Sequence, residues 1–269
     1  MAGIRIVVAG ATGWVGRALV PAILAAKDLA LVGAVSRAAA GQDAGEAIGQ
    51  AAAGVIVAAS LKDALAIPSD VVIDYTKPHV VKGNVLTAIE AGRNVVVGTS
   101  GLSAEDYGEI EAAARKAHVG VIAAGNFSIT ATLLKRFALE AARYVPDVEI
   151  VDYAAASKPD VPSGTGRELA EVLGEARQAG TAKPIADLSG LKETRGASIG
   201  APVPVQVHSL RLPGYVLSCE AHFGLPDERL LIRHDAGSSA APYVAGTLLA
   251  ARRVAEQPGL RRGLDSLMS

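Results

Sequence analysis

Residues Ile4 to Ala9 (I-R-I-V-V-A) run directly into G-A-T-G-W-V-G and on into an apolar segment, Val15 to Ala26. The short β-branched run fits a buried parallel strand, and the segment after the glycines reads as a helix. Glycines stand at positions 10, 13 and 16. In a strand–loop–helix unit one such glycine makes a tight turn. A second lets the backbone approach a pyrophosphate, and a third lets helix and strand pack closely. A plain structural turn is the bland alternative. The placement favours a dinucleotide loop, with Gly10, Ala11, Thr12, Gly13, Trp14 and Val15 as candidate cofactor-binding residues.

Beyond this unit the chain keeps alternating strand and helix. A second strand, Leu29 to Val35, ends in Ser36-Arg37 where enzymes that prefer NAD carry Asp or Glu for the ribose 2′-OH. A hydroxyl and a guanidinium suit a 2′-phosphate, which Arg binds in a bidentate way. The expected cofactor is therefore NADP(H), held partly by Arg37, with NAD(H) as the alternative. Ala38 to Ala53 reads as a small-residue loop or short helix. Strands are expected near Gly54 to Ala58, at Val71 to Asp74, at Asn94 to Gly98 and at Val119 to Ala123. Helices are expected at His79 to Ala91 and at Ser103 to Ala117, with Ser103 and Asp106 close to a capping box. The loops D-Y-T-K-P (Asp74 to Pro78) and G-T-S-G (Gly98 to Gly101) fall at carboxyl ends of strands, where a doubly wound sheet places its ligand.

After A-G-N-F-S (Ala124 to Ser128) the pattern changes. A helix over Ile129 to Arg143 leads to a strand, Val148 to Tyr153, and then to A-A-A-S-K-P-D-V-P-S-G-T-G-R-E-L-A, Ala154 to Ala170. That stretch ends inside a helix read as Gly166 to Gln178. Ser163, Gly164 and Thr165 stand at the helix start, which offers unbonded N–H groups and a positive dipole end to an anion. Lys158 beside it suits a carboxylate. A loop over Ala179 to Pro204 and three segments, Pro204 to Arg211, Tyr215 to Phe223 and Arg229 to Asp235, complete the region. The three read as antiparallel strands. The last helix, Ala240 to Ala255, is expected to pack back on the first domain.

Composition removes several classes. The 269 residues are 50% hydrophobic and 20% charged, with a formal net charge of -1. That is a globular balance and gives no electrostatic reason for nucleic acid or an anionic membrane as partner. Cys219 is the single cysteine, so no disulfide framework or multi-cysteine metal site is expected. The histidines at 79, 118, 208, 222 and 234 have no helix-face metal spacing, and no metal is expected. His208 and His234 read as structural or interface residues, and Cys219 as a small core residue. With no secretory leader pattern and no membrane-length apolar run, the chain reads as soluble and cytoplasmic.

Taken together, these segments resemble the dihydrodipicolinate reductase family. The likeness runs in order from the glycine loop through D-Y-T-K-P, G-T-S-G, G-N-F-S, K-P-D-V-P-S-G-T and H-S-L-R-L-P-G (His208 to Gly214). It implies a Rossmann-type doubly wound parallel sheet and a second α+β domain with a mixed sheet. It implies a dinucleotide-binding domain over 1–127 and 237–269, and a substrate-binding and oligomerisation domain over 128–236. Hinges would lie near Asn126 to Ser128 and near Gly237, and the assembly would be a homotetramer. On the family pattern Gly98, Thr99 and Ser100, with Ala124, Gly125, Asn126 and Phe127, border the nicotinamide. Lys158, Ser163, Gly164 and Thr165 hold the carboxylate of a small unsaturated substrate, and Lys158 is the catalytic candidate.

The departures are specific. The family carries two adjacent histidines before this lysine, the first usually assigned as proton donor; here the positions are Ala154 and Ala155. Alanine transfers no proton. Water, Lys158 or the Asp152–Tyr153 pair then supplies it, or the substrate differs. Trp14 also replaces an arginine common in the family's glycine loop. Asp160 is expected to fix the lysine loop by accepting backbone hydrogen bonds. The glycine loop also resembles extended short-chain dehydrogenases, but none of the six tyrosines is followed four residues on by the lysine those enzymes use. A same-fold dehydrogenase acting on another carboxylated substrate and a non-catalytic cofactor sensor are the rival readings.

Overall fold

A computed structural model describes residues 3–177, 189–190 and 196–268. Its elements run β1 (Ile4–Ala9), α1 (Gly16–Ala25), β2 (Leu29–Val35), β3 (Val57–Ala58), α2 (Leu61–Ala64), β4 (Val71–Asp74), α3 (Pro78–Glu90), β5 (Asn94–Val97), α4 (Ala104–Ala117) and β6 (Gly120–Ala123). They continue α5 (Ile129–Ala141), β7 (Val148–Ala154), α6 (Gly164–Ala176), β8 (Ala197–Ile199), β9 (Val205–Arg211), β10 (Leu217–Leu225), β11 (Glu228–Ala236), α7 (Ala241–Arg253) and β12 (Gly259–Arg262). The chain divides into two units, Met1–Ile129 with Ala240–Ser269, and Thr130–Ser239.

In the first unit seven parallel strands lie in the order β12-β6-β5-β4-β1-β2-β3. The order reverses beside β1, where an open α/β sheet binds its ligand. Side chains alternate across the sheet: Ile6 and Val8 face the core with α1 and α7, while Val7 and Ala9 face the core with α3 and α4. Both faces are covered, which is why these strands are apolar throughout. Helix α4 begins in a full capping box, the Ser103 hydroxyl accepting from Asp106 N–H and the Asp106 carboxylate accepting from Ser103 N–H. The segment read as a small-residue loop holds two short 3₁₀ turns, Arg37–Ala39 and Glu46–Ile48.

The second unit has a five-stranded mixed sheet, β11-β10-β7-β9-β8, with α5 and α6 packed on one face. One expectation is corrected here. Strand β9 does not pair with β10; it lies parallel to β7, which separates the two. The rest of the sheet is antiparallel. Helix α6 also starts two residues before the expected Gly166, because Ser163 caps it. Most of the expected loop Ala179 to Pro204, and Gln178, lie outside the described residues.

Candidate active site

The first unit carries a cavity of about 510 Å³ at the carboxyl ends of its strands. Gly10, Thr12 and Gly13 of the glycine loop line it, with Ser36 and Arg37 after β2, Ser60 before α2, and Thr76, Lys77 and Asn84 around the start of α3. Gly10 has φ +85, and a Cβ there would lie 2.2 Å from the Tyr75 carbonyl oxygen. At Gly16 a Cβ would meet the Gly10 carbonyl oxygen at the same distance. A side chain at Gly10 would push the glycine loop off the loop after β4, and one at Gly16 would push α1 off the glycine loop. Helix α1 has no side-chain cap and no acidic residue in its first turn, so its N–H groups and positive dipole end are not offset by protein carboxylates.

No aspartate or glutamate lines this cavity, and among the described residues neither Arg37 nor Lys77 forms an ion pair. The Thr12 and Ser36 hydroxyls bond each other at 2.6 Å, joining the glycine loop to the end of β2. A cavity with two cations, hydroxyls and an uncapped helix suits the phosphates of a dinucleotide. The other loop candidates have different surroundings. Ala11 is buried, with its N–H bonded to the Val35 carbonyl. Val15 is buried as well, whereas Trp14 is 58% exposed with its ring edge-on to Tyr243.

Gly98, Thr99 and Ser100 follow β5, and Ala124 to Phe127 follow the adjacent β6, outside the lining of that cavity. Asp74, fully buried at the end of β4, ties this edge together. Its carboxylate accepts from the Thr76 hydroxyl at 2.7 Å, the Thr99 hydroxyl at 2.8 Å and the Asn84 amide at 2.8 Å. Gly98 lies flat against the Tyr75 ring, where a Cβ would come within 2.2 Å. Burial raises the pKa of the Tyr75 hydroxyl, which bonds Thr247 at 2.8 Å. Ala124 N–H bonds the Val97 carbonyl, and the Asn126 side chain accepts from Ser128 N–H. Gly125 is exposed, whereas the Phe127 ring is buried against Tyr75.

In the second unit the loop between β7 and α6 is built on Asp152, whose carboxylate is fully buried. It accepts from Ser163 N–H at 2.8 Å, from the Ser163 hydroxyl at 2.5 Å and from Arg211 Nη2 at 2.8 Å. Arg211 Nη2 also donates to the Asp160 carbonyl at 2.6 Å. The Ser163 hydroxyl accepts from Gly166 N–H at 3.3 Å and so caps α6. Ser163 thus faces inward on both its polar groups. Gly164 is exposed, and Lys158 and Thr165 are half-buried. Lys158 donates to the Asp160 carboxylate at 2.8 Å. The pair lowers the Asp160 carboxyl pKa below the usual carboxylate range. The expectation for Asp160 is corrected: Asp152 receives the backbone N–H of this loop, while the Asp160 side chain receives Lys158.

The opposite face of the sheet holds a separate polar network. Glu220, nearly buried, accepts from the Tyr153 hydroxyl at 3.0 Å and Arg233 Nη1 at 2.5 Å, and bonds His222 at 2.8 Å. Burial and then Glu220 push the Tyr153 hydroxyl up to about 12. His208 bonds Glu149 at 2.8 Å, and His234 is buried. Cys219 is buried too, its thiol pushed up to about 12 by burial. Among the described residues no group of three or more His, Cys, Asp and Glu could hold a metal, and no helix is long and apolar enough to cross a membrane.

Family models meet this arrangement over nearly its whole length. Residues 4–127 match the model for dihydrodipicolinate reductase, N-terminus, and residues 130–268 match that for its C-terminus. The chain belongs to the dihydrodipicolinate reductase family. A 4-hydroxy-tetrahydrodipicolinate reductase of Synechococcus elongatus is 39% identical over 272 residues, 98% of each chain. One from Moorella thermoacetica is 37% identical over 269 residues, covering 100% of this chain and 99% of the relative. The solved structure of a dipicolinate-bound dihydrodipicolinate reductase from Paenisporosarcina sp. TG-14 superposes with a TM-score of 0.84 at 29% identity, covering 98% and 99%.

The two alanines carry no group that can transfer a proton. Ala154 is fully buried on the helix-covered face of β7, and Ala155 N–H bonds the Val216 carbonyl. Asp152 is committed to Ser163 and Arg211, and Tyr153 points to Glu220 on the other face. Lys158, the other candidate, donates to the Asp160 carboxylate. Sequence reasoning did not pick out Lys77, Asn84 or Ser60 beside Arg37, or Arg211 as the partner of Asp152. Lys77 was within reach, since it lies inside the D-Y-T-K-P loop at a strand end.

Proposed function

We propose that this chain is an NAD(P)H-dependent reductase acting on 4-hydroxy-tetrahydrodipicolinate, a cyclic carboxylated substrate of lysine and diaminopimelate biosynthesis. Support comes above all from family likeness over the full length together with retention of Lys158 and the Ser163–Thr165 turn. The first unit is the cofactor domain and the second the substrate-binding and oligomerisation domain. When bound, the nicotinamide supplies a hydride. The glycine loop and α1 start hold the pyrophosphate, and the loops after β5 and β6 border the nicotinamide. Arg37, with Lys77 from the facing wall, takes a 2′-phosphate, so NADP(H) is preferred over NAD(H).

In the second unit Lys158 and the N–H groups of Gly164 and Thr165 bind a substrate carboxylate and stabilise negative charge beside it. Asp152, through Ser163, fixes the turn that carries those groups. The proton that completes reduction comes from Lys158 or from water. The reading carries with it a cytoplasmic homotetramer, supported by the family likeness.

The test is consumption of NADPH and NADH by purified protein with freshly generated substrate at several pH values. Turnover supports the reading. Tight NADPH binding without turnover favours the rivals, a same-fold dehydrogenase for another carboxylated substrate or a cofactor sensor.

A further inference from the structure

The carboxylate on Lys158 is one the chain itself provides. Lys158 Nζ donates to Asp160 Oδ2 at 2.8 Å, with the two side chains 31% and 57% exposed. The pair is partly exposed, but the Asp160 backbone is fixed. Its carbonyl accepts from Arg211 Nη2 at 2.6 Å, and the same Nη2 bonds the buried Asp152. Prolines at 159 and 162 stiffen the short span on either side of Asp160. Lys158 is held as well, its N–H bonded to the Ala155 carbonyl at 3.0 Å. The loop therefore aims one of its own carboxylates at the Lys158 ammonium.

We propose that Asp160 is an internal counter-ion that occupies Lys158 in the unliganded protein and competes with the substrate carboxylate, setting its affinity. The proposal rests on Lys158 being the carboxylate clamp. A bound carboxylate either displaces Asp160 or binds beside it. Displacement gives up an ion pair, and co-occupancy brings two like charges onto one ammonium. Both routes weaken binding. An exposed pair of this kind is worth little, so the competition is modest and reversible. It would discriminate against weakly binding anions while a substrate with further contacts at the helix start still enters.

The experiment is calorimetric binding of dipicolinate to the NADPH-loaded protein for the wild type, Asp160→Asn, Lys158→Ala and the double variant. Asp160→Asn keeps size and removes charge, and it should bind dipicolinate about two- to fivefold more tightly. On the Lys158→Ala background the displacement route is gone, so the gain should shrink, and a gain that persists in full would assign the effect to like-charge repulsion alone and overturn the counter-ion role. Unchanged or weaker binding by Asp160→Asn on the Lys158 background overturns the proposal and makes Asp160 a support for Lys158. If Lys158→Ala itself leaves binding unaltered, the clamp fails, and the failure is then of the functional reading. Thermal melts of each variant confirm that the compared proteins are folded.

Discussion

Asp152 and Arg211 form an ion pair at 2.8 Å, the carboxylate fully buried and the guanidinium 13% exposed. Through this pair β7, β9 and the start of α6 share one anchor. Removing one partner of a buried pair leaves the other charge without compensation. Asp152→Ala should therefore lower the unfolding free energy by about 3–5 kcal/mol, measured by urea denaturation. It also strips Ser163 of its acceptor. A loss under about 1 kcal/mol would show that the guanidinium finds another partner.

Gly98 and Tyr75 are a second close relationship. A methyl at 98 would sit 2.2 Å from ring atoms of Tyr75, a ring held by Thr247 at its hydroxyl and by Phe127 at its edge. Gly98→Ala should destabilise the first unit by about 1–3 kcal/mol, as overpacking does. NADPH binding should weaken with it, because the displaced ring disturbs the loops after β4 and β5. Thermal melts with and without NADPH check both effects.

Cofactor preference should divide at Arg37. Arg37→Ala is expected to raise the Kd for NADPH by about tenfold or more, the scale of one charge-assisted phosphate contact, while NADH changes little. Lys77→Ala should act in the same direction with a smaller effect. Fluorescence titration with both cofactors measures the ratio, and equal losses for the two would contradict a 2′-phosphate role.

The acid limb of stability depends on two carboxylates. Arg233, then Ser218, holds Asp235 at about 2, and Lys82, then Ser103, holds Asp106 at about 2. Each folded-state pKa lies below its ordinary value of about 3.8, so each contributes stability that is complete above about pH 4 and is lost as pH falls toward 2. Thermal melts between pH 5 and pH 2 should show the fall, and Asp235→Asn should make it shallower. The Asp235 side chain is 56% exposed and that of Asp106 22%, so salt will reduce the effect, more at Asp235.

Much of the first unit was legible because its signals are local. β1, β2 and β4 match their apolar runs residue for residue, and the Ser103–Asp106 box marks the start of α4. The features that stayed hidden depend on partners distant in the chain. The four residues Gly259–Arg262 carry two arginines and no strand pattern; they form β12 because β6 offers a parallel edge. The place of β9 beside β7 is set by tertiary pairing that alternation along one strand cannot show. Lys158 and the Ser163 turn could be read from a short motif, whereas their support could not, since Arg211 reaches Asp152 across 59 positions.

The most direct test of the account is kcat/KM for NADPH-dependent reduction of freshly generated 4-hydroxy-tetrahydrodipicolinate by wild type and Lys158→Ala. The account predicts turnover by the wild type despite the alanines at 154 and 155, and a loss of about 100-fold or more in the variant, the scale of one preorganised charge-stabilising group. A wild type that turns over equally well without Lys158 would contradict it.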